Sequence, residues 1–435
     1  MSTMTPNDAT ANAIPSAVAR RRRRWRLLIA LALLGVAAFV VARLLAVNRL
    51  ATGPSHATAP LAEFIDSVGV NTHVSYYPTG YGNPGAWLPL LRELGVRHLR
   101  DNLVLADPRD LSVLHELAAD GIRTTLIVPE SVPVEQAVTT VTGALRSAVE
   151  ALEGPNETDL RPNWQVGLHV EMPALRRAVE HSSEPKLPLI GPSFVHKIDY
   201  EAVHGLAPTW DVENLHSYPG GHQPGTNLAR ILGAARDIDP SAPVVVTEDG
   251  YHNALNASVE QPPVPEQVAA TYLPRLLLEH FTDGIARTYI YELLDETPDP
   301  GLTNPEAHFG LVRADMTPKP AFYAIRNLLR IANASPGGGR TIKAKVSGND
   351  VRSLTLVRPD RSRVLFLWRD LEIWNPDAHQ SLEATPEPVT VSLSRRAAHV
   401  MVYDPTTSDS PLAQHPGVRN VPLSLGADVI AVNYG

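Results

Sequence analysis

The chain contains no cysteine. That excludes a disulfide framework, a thiolate nucleophile and a cysteine-ligated metal. Lysine is scarce. No Gly-x-Ser-x-Gly elbow is present, so serine-hydrolase chemistry has no support. His73, His98, His169 and His216 are scattered and share no short ligand spacing. No catalytic metal or other cofactor is therefore expected. The turn after the first strand candidate, Asn71-Thr72-His73-Val74-Ser75, is no glycine-rich phosphate loop, which argues against an open dinucleotide-binding sheet.

What is present begins with an asymmetric N-terminus. Arg20–Arg24 and Arg26 precede an apolar stretch from Leu27 to Val47, interrupted by Arg43. As a helix this stretch is long enough to span a hydrocarbon core of about 30 Å. The arginine cluster should stay cytoplasmic and place the rest of the chain outside. The expected order is a basic segment (1–26), a transmembrane anchor (27–47) and a polar linker (48–60). A cleaved signal peptide is the alternative, and it also exports the protein. Without residues 1–47 the chain has 31 basic and 45 acidic residues, a formal charge of about −14. That argues against nucleic acid as a partner and suits a neutral or basic sugar polymer.

Beyond the linker, short apolar runs alternate with amphipathic helical patterns. Strands are expected near Ile65, Val96, Arg123, Ala151, Leu187, Val212, Pro243 and Arg287. Each is bounded by turn residues, as buried parallel strands are. Helices are expected from Pro84 and Leu111, over Val134–Ser147, Val170–His181, Tyr200–Leu206, Asn227–Ile238 and Pro265–Phe281, and over Pro320–Ile331. Eight strands alternating with eight helices read as a (β/α)₈ TIM barrel over 61–333. A linker (334–340) follows. Period-two segments over 341–435 then read as a small all-β sandwich of about seven strands.

Functional side chains of such a barrel sit at the C-terminal ends of its strands. Strand two ends in Arg100-Asp101-Asn102. Strand four ends in Asn156-Glu157, strand six in His216-Ser217-Tyr218, and strand seven in Glu248-Asp249. Strand eight ends in Tyr291 and Glu292, followed by Asp295 and Glu296. Two carboxyls at one mouth are what glycosidic cleavage needs, one to protonate the leaving oxygen and one to attack the anomeric carbon.

Residues 61–332 resemble clan A of the glycoside hydrolases, with family 39-type bacterial enzymes the nearest likeness. Asn156-Glu157 resembles the clan's acid/base motif after strand four, and Thr247-Glu248 its nucleophile after strand seven. The resemblance implies Glu248 as nucleophile and Glu157 as acid/base, with retention of configuration. It implies that Arg100 and Tyr218 hold Glu248 ionised, and that Asn156 binds the 2-hydroxyl. His216, Tyr291 and Glu292 complete the expected substrate site. One departure stands out: many clan members carry a tryptophan at the end of strand eight, and here the segment is Tyr289-Ile290-Tyr291-Glu292. The implied activity is cleavage of a surface or extracellular polysaccharide, with transfer to another sugar as a related outcome.

Blander readings stand beside these. Arg100 could pair structurally with Asp101 or another barrel carboxylate, and His216 and Tyr218 could merely fill the barrel. Aromatic residues near the mouth (Tyr76, Tyr77, Tyr81, Trp164, Trp210) could stack on sugars or cover the rim. Trp368 and Trp374 fit packing of the sandwich on the barrel better than sugar binding. The alternative function is a catalytically silent polysaccharide-binding or assembly partner in an export complex. The sequence does not settle the sugar, its linkage or the oligomeric state.

Overall fold

The computed structural model describes residues 56–435, apart from 106, 204, 207–208, 259–260 and 338–340. The expected basic segment and the transmembrane anchor at 27–47 lie outside the described residues. Among the described residues no helix is long and apolar enough to cross a membrane.

The eight expected strands form one parallel sheet. They are β1 (Val68–Asn71), β2 (His98–Asn102), β3 (Arg123–Ile127), β4 (Val149–Glu153), β5 (Leu189–Ile190), β6 (Glu213–His216), β7 (Val244–Asp249) and β8 (Ile285–Ile290). The pairing runs from β5 through β4, β3, β2, β1, β8 and β7 to β6. A parallel bridge between Ile190 and Val212 joins the two ends and closes the barrel.

The flanking helices follow their sequence signals. Pro84–Leu94 starts on a proline, whose missing N–H costs nothing in the first turn. It ends at Gly95, which adopts the left-handed conformation. Trp87, Leu88, Leu91 and Leu94 are its buried face. The helix after β4 begins at Trp164, six residues before the expected Val170. After β5 the expected helix is a 3₁₀ segment, Lys197–Val203.

All seven expected C-terminal strands are present. They form a three-stranded sheet (Ala344–Ser347, Glu387–Ala397 and Val418–Leu425) and most of a six-stranded one. One edge of the larger sheet corrects the expected 48–60 linker. His56–Pro60 is a strand, paired in parallel with Arg352–Val357. The sequence hid it because its alternating apolar side chains, Ala57 and Ala59, are small, and its partner lies almost 300 residues away.

The larger sheet is apolar on both faces. Leu365 and Leu367 pack in the core shared with the three-stranded sheet. Val364, Phe366 and Trp368, on the opposite face, join the core of the barrel. Phe366 lies 6.2 Å from Phe64 between ring centroids. Arg358 donates to the carbonyls of Ala332 and Ile331, at the C-terminus of helix Pro320–Asn333. Barrel and β-domain therefore form one compact unit rather than two bodies on a linker.

Candidate active site

The mouth of the barrel holds a cleft of about 980 Å³. Arg100, Asn156, Glu157, Tyr218, Glu248 and Tyr291 all line it.

Arg100 organises the floor. It is 2% exposed. Its Nε and Nη2 donate to the two oxygens of Glu153, each at 2.7 Å. Nη1 donates to Glu248 Oε1 at 2.5 Å and to Asn71 Oδ1 at 3.0 Å. Nη2 also donates to Asn156 Oδ1 at 2.7 Å. A forked guanidinium can hold two carboxylates in fixed planes, which lysine cannot. Of the two structural pairings considered, the one with another barrel carboxylate forms, with Glu153, and the one with Asp101 does not: Asp101 accepts from Thr72 Oγ1 at 2.6 Å and from the amides of Val74 and Asn102. Burial nevertheless pushes its carboxyl up to about 7, against those hydrogen bonds.

Glu248 reaches the cleft through a bulge. Leu215 of β6 pairs with Val246 and His216 with Glu248, so Thr247 is an extra residue in the ladder. A bulge lets neighbouring side chains aim where strict alternation would separate them. Thr247 Oγ1 donates to Asn214 Oδ1 at 2.6 Å in the buried layer. Tyr218 OH donates to Glu248 Oε2 at 2.8 Å. Burial alone would raise the Glu248 carboxyl, but His216 and Arg100 together hold it below the ordinary range. The Tyr218 hydroxyl is pushed well above its usual value by burial and the Glu248 charge, so it remains a donor.

Glu157 sits on a strained turn. Its φ of 46° and ψ of 43° lie in the left-handed region, which costs a non-glycine residue about 1–3 kcal/mol. Its amide donates to Ser193 Oγ at 3.2 Å, and that hydroxyl donates to Asn156 Oδ1 at 2.9 Å. Asn156 Oδ1 thus accepts from both Arg100 and Ser193, which leaves its NH₂ group to donate.

His216 links the two glutamates. Its Nδ1 is 2.7 Å from Glu157 Oε1 and 3.5 Å from Glu248 Oε2, and its Nε2 is 3.1 Å from Thr247 Oγ1. Thr247 spends its one hydroxyl proton on Asn214, so Nε2 is best satisfied as a donor too. Two donating nitrogens describe an imidazolium. Burial opposes that charge, but Glu248 and Glu157 outweigh it and raise the His216 pKa. One oxygen of each glutamate and a His216 nitrogen lie within 4.8 Å of one another.

The β1 and β8 side is different. Tyr291 OH donates to Glu306 Oε2 at 3.0 Å and is 3.3 Å from His73 Nε2. Phe309 lies 5.2 Å from the Tyr291 ring and 5.8 Å from that of Tyr218. His73 stacks on Tyr76 at 4.5 Å, and its pKa falls to about 4 through burial. Glu292 does not stand in the cleft wall where it was expected. It is fully buried, and it accepts from Tyr81 OH at 2.8 Å.

Among the aromatic residues considered from sequence, Tyr76 lines the cleft, whereas Tyr81 and Trp210 are buried. Trp368 and Trp374 are buried as packing residues. Sequence reasoning missed Glu153, Asn214, Ser193 and Glu306. Glu153 reads as strand interior, and its buried carboxylate becomes intelligible only beside Arg100, 53 positions away.

No protein-family model matches the chain, and no curated protein matches it in sequence. Solved structures do match its fold. A family 39 glycoside hydrolase from the gut symbiont Bacteroides cellulosilyticus WH2 aligns with a TM-score of 0.59 at 16% identity, over 86% of this chain and 81% of that one. A glucosidase from Croceicoccus marinus aligns at 0.53 and 11% identity, over 80% and 91% of the two chains. CelM2, a bifunctional glucanase-xylanase from a metagenome library, aligns at 0.53 and 11% identity, over 87% and 98%. The shared fold is the barrel with its trailing β-domain.

Proposed function

We propose that the chain is a retaining glycoside hydrolase acting on a polysaccharide, with Glu248 as nucleophile and Glu157 as acid/base. The observation that carries this reading is the spacing of the two carboxylates. Oxygens within 4.8 Å suit the separation of about 5–5.5 Å used for double displacement. Inverting pairs stand about 6.5–9.5 Å apart to admit a water.

In the first step a Glu248 oxygen bonds to C1 as the C1–O bond breaks, and Glu157 gives its proton to the leaving oxygen. In the second, Glu157 takes a proton from water, the water oxygen bonds to C1, and the bond to Glu248 breaks. A sugar hydroxyl in place of water gives transfer. Arg100 and Tyr218 hold Glu248 ionised and fixed, a preorganised environment that need not rearrange as charge develops. His216 Nδ1 meets Glu157 Oε1 at 2.7 Å, so a proton can pass between them. The Asn156 NH₂ group is placed to donate to the 2-hydroxyl. Tyr291 and Phe309 supply the apolar wall in place of the expected tryptophan.

Residues 20–47 support a membrane-tethered enzyme working outside the cytoplasm, on a surface or extracellular polymer. Reducing-end release from a panel of such polymers tests the whole reading. Glu248→Gln should lower kcat by roughly 10⁴-fold or more, and Glu157→Gln by about 10²–10⁴-fold. Near wild-type turnover in either variant overturns the assignment. Polymer binding without release by the wild type favours the silent partner instead.

A further inference from the structure

The β-domain reaches the mouth of the barrel by one excursion. Between strands Arg363–Trp368 and Glu387–Ala397 the chain leaves the sheet and forms a short hairpin, Trp374–Asn375 against Gln380–Ser381. Its root is bonded to helix Glu266–Thr282. Arg275 Nη1 donates to the Leu371 carbonyl at 2.9 Å. The Ile373 amide donates to Tyr272 OH at 2.9 Å, and that hydroxyl donates to Glu372 at 3.1 Å.

Its first strand touches the loops that follow β6 and β7. Trp374 is buried, and its Nε1 donates to the Pro263 carbonyl at 3.0 Å. Glu372 lies 3.6 Å from His222 Nδ1. Gly221 is threaded between the two parts. A Cβ there would lie 2.8 Å from the Pro262 carbonyl oxygen and 3.1 Å from Pro376 Cβ, and its φ is +81°.

These loops are walls of the cleft. Gln261 and His252 both line it. His252 Nε2 is bonded to the Gln261 carbonyl at 2.7 Å, and the Val264 amide donates to the His252 carbonyl at 3.0 Å. The His252 ring packs on Phe309 at 5.1 Å. Phe309 in turn packs on Tyr218 and Tyr291. Packed groups therefore run without a break from Trp374 to the tyrosine that holds Glu248.

We propose that the Trp374 hairpin positions the outer cleft. It fixes residues 218–225, 250–258 and 261–264, and so sets where Tyr218, His252 and Gln261 meet the sugar. Trp374 is a positioning residue, since it touches neither cleft nor substrate. The β-domain thereby shares in substrate binding. This takes the cleft as the sugar site and rests on the reading above in that respect alone.

Hydrogen–deuterium exchange on the full chain tests the positioning directly. Trp374→Ala should speed exchange in the two loops about tenfold and leave peptides from β1 to β3 unchanged. Trp374→Phe keeps the ring and loses the N–H, and should give a smaller rise in the same peptides. In polymer cleavage KM should rise by a larger factor than kcat falls, because the loosened walls lose uniform binding and Tyr218 keeps its bond to Glu248 only in part. Unchanged loop exchange, or a rise spread evenly over all peptides, overturns the proposal. If Trp374→Ala fails to fold, Trp374→Phe and His222→Ala decide it by the same readout. Exchange needs no turnover, so a wild type that cleaves nothing defeats the glycosidase reading while the exchange result still judges the hairpin.

Discussion

Where β2, β4, β6 and β7 meet the mouth, hydrogen-bonding capacity is used heavily. Arg100 spends Nε and both terminal nitrogens on Glu153, Glu248 and Asn156, and also reaches Asn71 at the end of β1. Both Glu248 oxygens accept bonds. Where β1 and β8 meet the same mouth, His73 Nδ1 and Glu292 Oε1 are buried without a hydrogen-bond partner. The first side has geometry that cannot shift without breaking several bonds at once, which is what charge stabilisation in a transition state requires. The second side is held mainly by ring packing. It is also where the expected tryptophan is missing. On the proposed reading, chemistry is thus fixed on one side of the cleft, and sugar preference has its freedom on the other.

The contrast can be broken by mutation. Arg100→Gln should have the largest effect. It leaves Glu153 buried without its cation, at a cost of about 3–5 kcal/mol, measurable by thermal melting. It also removes one of the two charges that hold Glu248 ionised. The acidic limb of the pH–rate profile should then move to higher pH. Tyr218→Phe should be milder: kcat about tenfold lower, the limb displaced the same way by less, and the melting temperature nearly unchanged. An acidic limb that stays in place in both variants would show that this side does not tune Glu248.

Glu292→Gln sharpens the other half of the comparison and should have the smallest effect. Burial pushes the Glu292 carboxyl well up, against the Tyr81 hydrogen bond, with Glu296, Glu306 and Asp295 adding to the rise. The folded chain therefore holds that proton more tightly than the unfolded chain. Stability from this group is full below the ordinary carboxylate range and is lost as pH climbs through the raised value. Glutamine stays neutral, so the variant should match the wild type in acid and exceed it in alkaline solution. Denaturant unfolding at both extremes measures the difference, and equal stability throughout would mean that Glu292 is neutralised by other means.

How far the sequence could be read depended on range. The run Val244-Val245-Val246 marks a buried strand by itself, and Glu248 follows as its end. The bulge at Thr247, which aims that glutamate, depends on the pairing with β6 and leaves no local signal. Asn156-Glu157 was legible as a motif, but the left-handed backbone of Glu157 was not, because Gly154-Pro155 marks a turn without saying which residue takes the positive φ. Arg100 was legible together with its bond to Glu248, but its second carboxylate partner, Glu153, was not named. Glu153 sits inside β4, where sequence gives no reason to expect a paired charge. Glu292 was misplaced because a residue at a strand's end can face the mouth or turn behind it.

The strand His56–Pro60 also has a mechanical meaning. Any force applied through the chain ahead of His56 meets this strand first. Its five residues lie parallel to Arg352–Val357, so a pull along its axis loads their hydrogen bonds together, in shear, and not one at a time. The strain passes into a sheet that is braced on one face by the barrel and on the other by the three-stranded sheet. β1 and the carboxylates beyond it stay unloaded until that clamp fails.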